Sequence, residues 1–251
     1  MTRLSQITHD IMLNNMLGEA ELDGSPMTTN GMKLLQHVAE TGGIELTKSG
    51  FFNRKCVVWA AEEFQWSGYE PAQIYRLNKV LNEQDFPPLS VMHELMLLGR
   101  LIRHRKGRAI LTSAGKTMLG NFGQLQALLF ETYFTSYDFG ADARFPSYIE
   151  HDDYRHFLGV VANRLGDWAT LVDFANWCLP VPLIPSTRGR PEFEACLHLK
   201  FNFVRPLRWL GLMEEEDAPH MTPIEQGRIR KTELFDKFLH FGDHSNPKVY
   251  H

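Results

Sequence analysis

Five permanent positive charges lie within nine consecutive residues of this 251-residue chain. They belong to the segment LGRLIRHRKGRAILTSAGKTML at residues 98–119, where a histidine stands among the arginines. Because charges are not buried without partners, these side chains are predicted to project into solvent. Arginine and lysine bind phosphate through charge-assisted hydrogen bonds and release its counterions. The segment therefore predicts a surface that contacts a nucleic-acid backbone, with the candidate residues Arg100, Arg103, His104, Arg105, Lys106 and Arg108.

Other interpretations of this segment stay open. The cations can be solvated without any ligand, or they can pair with the chain's own acidic stretches at residues 138–153 and 214–217. They can also face a protein partner. Each of these alternatives leaves the segment without a nucleic-acid role.

A second set of basic residues is interleaved with aromatic ones, and its members are Arg188, Arg190, Lys200, Arg205 and Arg208 with Phe201, Phe203 and Trp209. Such a pattern can hold single-stranded nucleic acid by stacking. At helical spacing, however, Phe193, Leu197, Phe201 and Val204 form an apolar stripe that favours a buried helix face. The acidic run that follows at residues 214–217 would avoid DNA, and it either meets a basic partner or is solvated.

Side chains that could bind a metal occur in two pairs. Asp152 and His156 are four residues apart, so a helix would place them on one face. His240 and His244 have the same spacing, but Gly242 interrupts the helix between them. The three cysteines are far apart and lie among apolar residues, as reduced and buried thiols do. We therefore expect no metal and no cofactor.

The usual catalytic motifs are absent from the sequence. No serine, cysteine or histidine lies in a nucleophile elbow, and the chain has no phosphate-binding loop and no GxGxxG motif. No catalytic residue is therefore assigned. An enzyme with a dispersed active site stays an alternative, because catalytic triads assemble from distant residues.

The basic segment is predicted to form a β-hairpin between two helices. A helix ends at Leu98-Gly99, two short strands cover residues 100–103 and 108–111, and Lys106-Gly107 makes the turn. Thr112 stands at the N-cap of the next helix. The glycine that follows the preceding helix is expected to take the left-handed conformation that leads into the hairpin.

Apolar spacing predicts helices before this hairpin. One carries Met32, Leu35 and Val38, and a short strand follows at residues 44–47. Asn53 is predicted to cap the next helix, and prolines open two more. A first amphipathic helix at the N-terminus is predicted from the positions Leu4, Ile7, Ile11 and Leu17.

The C-terminal half is predicted to be mostly helical, with an acidic linker at residues 138–146 and a proline-rich loop at residues 180–189. Asp167 is expected to cap a helix that ends at Cys178. A long helix at residues 192–210 is predicted to kink at Pro206. A second hairpin is predicted through Leu212 and residues 220–222, after which Pro223 starts the last helix.

One short sequence motif occurs in both halves of the chain. Leu97-Leu98-Gly99 leads through a hairpin to Leu111-Thr112, and Leu210-Gly211-Leu212 leads through a shorter hairpin to Met221-Thr222. In each case a β-branched threonine ends a strand, and its hydroxyl caps the next helix. The repeat predicts two domains, at residues 1–137 and 138–251.

The order of helix, short strand, helices, basic hairpin and helix resembles the winged helix-turn-helix fold. The phrases Phe86-Pro87-Pro88, Gly99 and Leu111-Thr112-x-x-Gly115 are most similar to uncharacterised bacterial and plasmid-borne open-reading-frame proteins. The resemblance implies a mostly α fold of two tandem winged-helix-like modules, at about residues 27–137 and 138–242, with β-hairpin wings and linking helices. It implies DNA binding of the transcription-regulator type, although many winged helices bind only proteins.

The helix before the basic hairpin lacks side chains that read bases. Residues 90–98 offer Ser90, His93 and Glu94 and are otherwise apolar, whereas base edges call for Arg, Lys, Asn or Gln. We therefore expect either that the hairpin alone touches nucleic acid, without sequence preference, or that this helix packs against protein.

Composition narrows the classes of function. The net charge is −4, and because proteins that coat nucleic acid show a basic excess, any such binding must come from a local patch. No apolar run approaches the roughly 18 residues that span a bilayer, so we expect a cytoplasmic protein with no membrane partner. The sequence predicts a non-enzymatic binding protein of the regulator type. The main alternative is a protein-interaction adaptor or inhibitor from a mobile element, which uses acidic surfaces and aromatic ones such as Phe51-Phe52 and residues 66–69.

Overall fold

The computed structural model describes residues 11–138, 153–179, 191–216 and 222–242. These residues form two compact units. The N-terminal unit comprises residues 15–137, and the C-terminal unit comprises residues 11–14 with the described residues from 138 onward. Both units are mostly helical with small antiparallel sheets, as the sequence predicts. None of the helices in these ranges is long and apolar enough to cross a membrane.

The described helices are α1 (Pro26–Glu40), α2 (Arg54–Glu63), α3 (Pro71–Leu77), α4 (Pro87–Leu98), α5 (Ser113–Met118), α6 (Phe122–Ser136), α7 (Asp153–Arg164), α8 (Leu171–Cys178), α9 (Pro191–Leu199), α10 (Arg205–Trp209) and α11 (Glu233–Phe238). The described strands are β1 (Ile11–Leu13), β2 (Ile44–Glu45), β3 (Ile102–Arg105), β4 (Arg108–Leu111), β5 (Ala169–Thr170), β6 (Met213–Glu215), β7 (Arg228–Lys231) and β8 (Leu239–Phe241). Short 3-10 turns cover Glu83–Asp85 and Ile224–Gln226, and a π-helical segment covers Lys200–Val204.

Helix α1 organises the core of the N-terminal unit. Its apolar residues Met32, Leu35 and Val38 are buried, as predicted, and the helix packs against α4 and α6. The buried amide of Gln126 on α6 accepts a hydrogen bond from the hydroxyl of Thr28, which satisfies groups that are costly to bury alone. This core fixes α4 and therefore the hairpin that follows it.

The sheet of the N-terminal unit has the strand order β2-β4-β3, so the last strand lies in the middle. Ile44 pairs with Ala109 on β4, and Ile102 on β3 pairs with Leu111. The Leu46 N–H donates to the Gly107 carbonyl and extends the pairing toward the hairpin turn. The predicted hairpin is thereby confirmed, but its first strand is Ile102–Arg105 instead of residues 100–103. The strand predicted at residues 44–47 is present as the two-residue edge strand Ile44–Glu45.

Local hydrogen bonds fix the first turns of α2 and α5, the helices on either side of the hairpin in the sequence. The predicted caps are confirmed, because Asn53 accepts from the Cys56 N–H and the Thr112 hydroxyl accepts from the Gly115 N–H, each at 3.0 Å. The conformation at the start of the hairpin differs from the prediction. Arg100 has a φ of 56°, whereas Gly99 has an ordinary φ of −72°. The left-handed residue is therefore one position later than the glycine.

The C-terminal unit has a second three-stranded sheet with the order β5-β7-β6, the same relative order as the first. Gly211 has a φ of 73° and leads into β6. The hydroxyl of Thr232 donates to the Gly211 carbonyl at 2.6 Å, just as that of Thr112 donates to the Arg100 carbonyl at 2.6 Å. Thr232 therefore occupies the position that the sequence assigned to Thr222, but its hydroxyl does not cap α11 as predicted.

The predicted return strand of this second hairpin is therefore wrong. The strand that pairs with β6 is β7, with Met213 opposite Lys231, and the last helix begins at Glu233 instead of Pro223. Pro223 precedes a short 3-10 turn. The error arises because Thr222-Pro223 has the same local signature as a helix start, and only strand pairing distinguishes the two.

The predicted helix at residues 192–210 is interrupted by its π-helical segment. A π turn accommodates an extra residue, so the apolar stripe changes phase there. Leu199 and Phe203 are buried, whereas Phe201 is 41% exposed. The predicted stripe through Phe201 is therefore wrong, and the irregularity lies before Pro206 instead of at it.

Two other predicted helix positions are corrected. Ile11 was assigned to an N-terminal helix but belongs to β1, which pairs antiparallel with β8; Leu4 and Ile7 lie outside the described residues. The cap of α8 is Thr170, whose hydroxyl accepts from the Asp173 N–H, and not Asp167. The predicted proline-rich loop at residues 180–189 and nearly all of the acidic linker also lie outside the described residues.

Candidate nucleic-acid interface

The basic hairpin, made of Arg100-Leu101, β3, β4 and the turn between the strands, is an exposed and strongly charged feature of the N-terminal unit. Arg103, His104, Arg105 and Lys106 are consecutive exposed residues. Since neighbouring residues of a strand point to opposite faces, Arg103 and Arg105 share one face of β3. His104 shares the other with the buried Ile102.

The turn of the basic hairpin has a geometry that presents its lysine. Lys106 and Gly107 have φ values of 48° and 70°, which is the arrangement of a two-residue type I′ turn. Asn and Gly are the residues that this turn prefers, and a lysine in the left-handed region costs about 1 kcal/mol. Lys106 is therefore held at the tip of the hairpin in spite of its backbone preference.

The six predicted residues separate into different environments. Arg108 donates hydrogen bonds to the carbonyls of Gly43 at 2.6 Å and Thr41 at 3.3 Å, just beyond the end of α1, so it anchors β4. Within the described ranges, no salt bridge or hydrogen bond engages the side chains of the remaining four cations, Arg100, Arg103, Arg105 and Lys106. We call these residues the four unpaired cations. The sixth residue, His104, is bound to the interior.

The acidic run at residues 214–216 pairs with cations of its own hairpin and of the preceding helical segments. Glu214 pairs with Arg230 at 2.6 Å, and Glu216 pairs with Arg228 at 3.2 Å. Glu215 contacts both Arg208 and Lys200. These carboxylates therefore have local partners, whereas Asp217 and residues 139–152 lie outside the described ranges.

Beneath the basic hairpin, a chain of hydrogen bonds joins a buried carboxylate to the surface. Glu83, 3% exposed, accepts a hydrogen bond from His93 Nδ1 at 2.8 Å. His93, 4% exposed, has its Nε2 atom 3.0 Å from Nε2 of His104 on β3. We call these three residues the Glu83–His93–His104 relay. It links the core of the unit to the same strand that carries Arg103 and Arg105.

The relay is held in place by neighbouring elements. The second carboxylate oxygen of Glu83 accepts a hydrogen bond from the backbone N–H of Phe52. The Phe52 ring stacks on the His93 imidazole with 3.8 Å between ring centroids and 16° between planes. Asn82 and Asp85 form a capping box around the turn that carries Glu83. Because the carboxylate is bonded at both oxygens, its burial is compensated.

Burial and neighbouring charge act on the titratable groups around the relay. Burial lowers the pKa of His104, a charge on His93 lowers it further, and the Glu83 carboxylate opposes both. Burial, reinforced by Glu83, raises the pKa of the Cys56 thiol to about 12. Cys56 therefore stays a thiol and serves as a core residue.

Helix α4 contributes no base-reading surface. Val91, Met92, His93, Leu95 and Met96 are buried. The only α4 side chain classed as exposed within the described residues is the apolar Leu98. Helix α4 therefore offers no Arg, Lys, Asn or Gln to a base edge.

The other predicted sites are not assembled in the described ranges. No group of three or more metal-binding side chains occurs there. His240 lies on β8, and Asp152 and His244 fall outside the description. Cys56, Cys178 and Cys196 are free and buried, as predicted.

The aromatic residues predicted for a protein partner are only partly accessible. Phe52 and Trp66 are buried at 1% and 4% exposure, whereas Phe51 and Tyr69 are half-buried. Of the interleaved set in the C-terminal unit, Phe203 and Trp209 are buried, while Arg205 stacks over the rings of Phe201 and Trp209. Arg188 and Arg190 lie outside the described residues.

Sequence reasoning missed Glu83 and the role of His93. The three relay residues are ten and eleven positions apart and lie in a turn, a helix and a strand, so no spacing rule unites them. The available signal was a single histidine on the apolar side of α4, which has no reason to be there without a polar partner.

Comparison with known proteins identifies relatives of this chain. The family model of the Y4jL N-terminal domain matches residues 23–124, a range that contains the basic hairpin and the relay. The uncharacterized protein y4jL of Sinorhizobium fredii (strain NBRC 101917 / NGR234) is 32% identical over 171 residues, which are 68% of this chain and 78% of that protein. No solved structure matches.

Proposed function

The chain belongs to the Y4jL family, and from that premise we propose that it is a non-enzymatic protein of the regulator type, which binds nucleic-acid backbone through its basic hairpin. In this proposal the N-terminal unit is a winged helix and the hairpin is its wing. The C-terminal unit is a second winged-helix-like module.

The proposed fold is supported by topology. In the N-terminal unit α1, β2, α2, α3, α4, β3 and β4 follow one another, with a 3-10 turn between α3 and α4, and the last strand lies between the other two. A winged helix has the same strand order. In the C-terminal unit the corresponding series is α7, β5, α8, α9, α10, β6 and β7, with the π-helical segment between α9 and α10 and a 3-10 turn between β6 and β7.

One observation carries the proposed binding: the four unpaired cations project from a rigid hairpin whose other basic residue, Arg108, is tied to the backbone. Phosphate oxygens satisfy such cations, and guanidinium groups bind them in a bidentate manner. Since α4 presents no base-reading side chains, the contact reads the backbone and carries little sequence preference.

The proposal predicts a salt-dependent affinity for duplex DNA of random sequence. Fluorescence anisotropy at several salt concentrations would compare the wild type with the triple variant Arg103→Gln, Arg105→Gln, Lys106→Asn. Asparagine keeps the type I′ turn while it removes the charge. Each lost phosphate contact lowers the slope of log K against log salt by about 0.9, so the slope should fall in magnitude by about 3.

A charge-matched control separates local contact from net charge. Lys55, Arg76 and Lys79 are exposed cations on or next to α2 and α3. Their replacement by glutamine changes the net charge equally and should leave the slope within about one unit of the wild type. Equal losses in the two triple variants, or undetectable binding by the wild type at low salt, would contradict the proposal.

A further inference from the structure

The Glu83–His93–His104 relay sets the hydrogen-bond roles of its ring nitrogens. A neutral imidazole has one donor and one acceptor nitrogen, whereas a charged one has two donors. Nδ1 of His93 donates to the Glu83 carboxylate, which leaves Nε2 of a neutral His93 as the acceptor. Nε2 of His104, 3.0 Å away, then donates to it, and Nδ1 of His104 becomes a donor as well only when that ring gains a proton.

Neutral His104 donates from Nε2 to His93 and has a bare acceptor at Nδ1, which repels a phosphate oxygen. Protonated His104 keeps that hydrogen bond and also donates from Nδ1. The Glu83 carboxylate favours this protonated form, because it raises the pKa of His104 against the effect of burial.

We propose that the relay couples proton uptake to phosphate binding by the basic hairpin, with Nδ1–H of His104 donating to a backbone phosphate oxygen only after the relay has gained a proton. The inference rests on the proposed function and names the regulation of that same surface. A phosphodiester keeps its charge across this pH range, so the proton is taken up by the protein.

The groups around His104 are consistent with this assignment. Arg103 and Arg105 flank it on β3 and point to the opposite face of the strand. Burial raises the pKa of the Cys56 thiol on α2 to about 12, so this group stays protonated, and Glu45 on β2 accepts from Asn53. Within the described residues His104 makes its hydrogen bond through Nε2, so Nδ1 is the nitrogen left for a ligand.

The direction of the pH effect follows from the pKa of His104 in the free protein and in the complex with phosphate. The pKa of His104 lies below its ordinary value in the free protein, so the ring is neutral near pH 7. A bound phosphate favours the protonated relay, so binding takes up one proton between the free and bound pKa values. Affinity for DNA should rise as the pH falls from about 7.5 to about 5.5, approaching tenfold per pH unit.

The test is duplex binding of the full chain at constant ionic strength across this pH range. His104→Gln should flatten the pH dependence and weaken binding at pH 5.5 by about tenfold. Glu83→Gln removes the charge that favours protonated His104, so the midpoint of the pH dependence should fall by about one unit. His240→Gln, an exposed histidine in the C-terminal unit, is the matched control and should keep the wild-type profile.

Each outcome supports or contradicts the inference, provided that circular dichroism shows that the variants are folded. Wild-type binding that is independent of pH, or a pH dependence that persists in His104→Gln, overturns the inference while the proposed function stands. An unchanged midpoint in Glu83→Gln overturns the role of the relay. Absence of duplex binding at every pH overturns the proposed function and the inference together.

Discussion

The two hairpins of this chain share their backbone design and differ in how their charges are satisfied. In each, a left-handed residue follows a helix, and a threonine hydroxyl donates to its carbonyl at 2.6 Å. The basic hairpin carries four unpaired cations. The paired hairpin, made of β6 and β7, binds each of its glutamates to an arginine or lysine.

This difference teaches that topology alone does not locate the binding surface. Arg228 and Arg230 are as basic as Arg103 and Arg105, yet they contact Glu216 and Glu214 and both lie over the Trp168 ring. Their charges are paired, and the Trp168 ring lies against both guanidinium groups. A phosphate would compete with these partners, which is why we propose the first hairpin and not the second as the anion-binding surface.

The largest effect on stability is expected where α5 meets the base of the basic hairpin. A Cβ on Gly115 would lie 2.1 Å from the Leu101 carbonyl oxygen. At the equivalent position, three residues after Thr232, the C-terminal unit has the buried Phe235. Because backbone must move, Gly115→Ala should lower the free energy of unfolding by about 3 kcal/mol. Urea denaturation measures this change.

The exposed neighbour Ser113 supplies the control for that experiment. Ser113→Ala changes a surface side chain and should alter the free energy of unfolding by less than about 0.5 kcal/mol. An unchanged unfolding midpoint in Gly115→Ala would mean that α5 does not approach the hairpin as closely as described.

A smaller effect on stability is expected at Arg100 and Gly211, the residues with left-handed backbone conformation that precede the strands of the two hairpins. Gly211, with φ of 73°, tolerates this conformation, and Gly211→Ala should destabilise the protein by about 1 kcal/mol. Arg100, with φ of 56°, already bears that strain. Arg100→Gly should therefore change stability by less than about 0.5 kcal/mol, because relief of strain offsets the added freedom of the unfolded chain. Equal destabilisation by both substitutions would show that the two hairpins do not start alike.

The smallest stability effect is expected from the glutamates of the paired hairpin. The triple variant Glu214→Gln, Glu215→Gln, Glu216→Gln removes partly exposed ion pairs that contribute about 0.2–1 kcal/mol each at most. The more informative property of this variant is its affinity for duplex DNA. Arg228 and Arg230 lose their partners, so the salt dependence of duplex binding should become steeper than in the wild type.

That variant tests the comparison between the hairpins. If the salt slope stays the same after the glutamates are removed, pairing with these glutamates is not what keeps Arg228 and Arg230 from binding DNA. Thermal melting in the same buffers would verify that the modest stability loss does not account for the binding result.

Local signals allowed the sequence to predict much of the N-terminal unit. Asn53 and Thr112 cap their helices through neighbouring N–H groups, and the Lys106-Gly107 turn closes a hairpin of adjacent residues. The second hairpin was misplaced because β7 is separated from β6 by twelve residues, and two threonines fit the same local pattern. The register of a strand is set by its partner, and a single sequence does not reveal that partner.

The residues of the candidate site likewise divide into those that local sequence signals predict and those that depend on tertiary packing. The exposure of Arg103, Arg105 and Lys106 followed from their charge, whereas the anchoring of Arg108 depends on where α1 ends in space. The relay depends on tertiary packing entirely, since Glu83, His93 and His104 come together only when α4 packs behind β3. Likewise, the exposure of Phe201 results from a π-helical segment that the apolar periodicity does not signal.

The most direct test of the central claim is a titration of ¹⁵N-labelled protein with a short duplex at low salt, followed by nuclear magnetic resonance. The account predicts that backbone amide and arginine side-chain signals of residues 100–107 shift with added duplex, while those of β6 and β7 stay in place. Shifts confined to β6 and β7, or no shifts at all at saturating duplex, would contradict it.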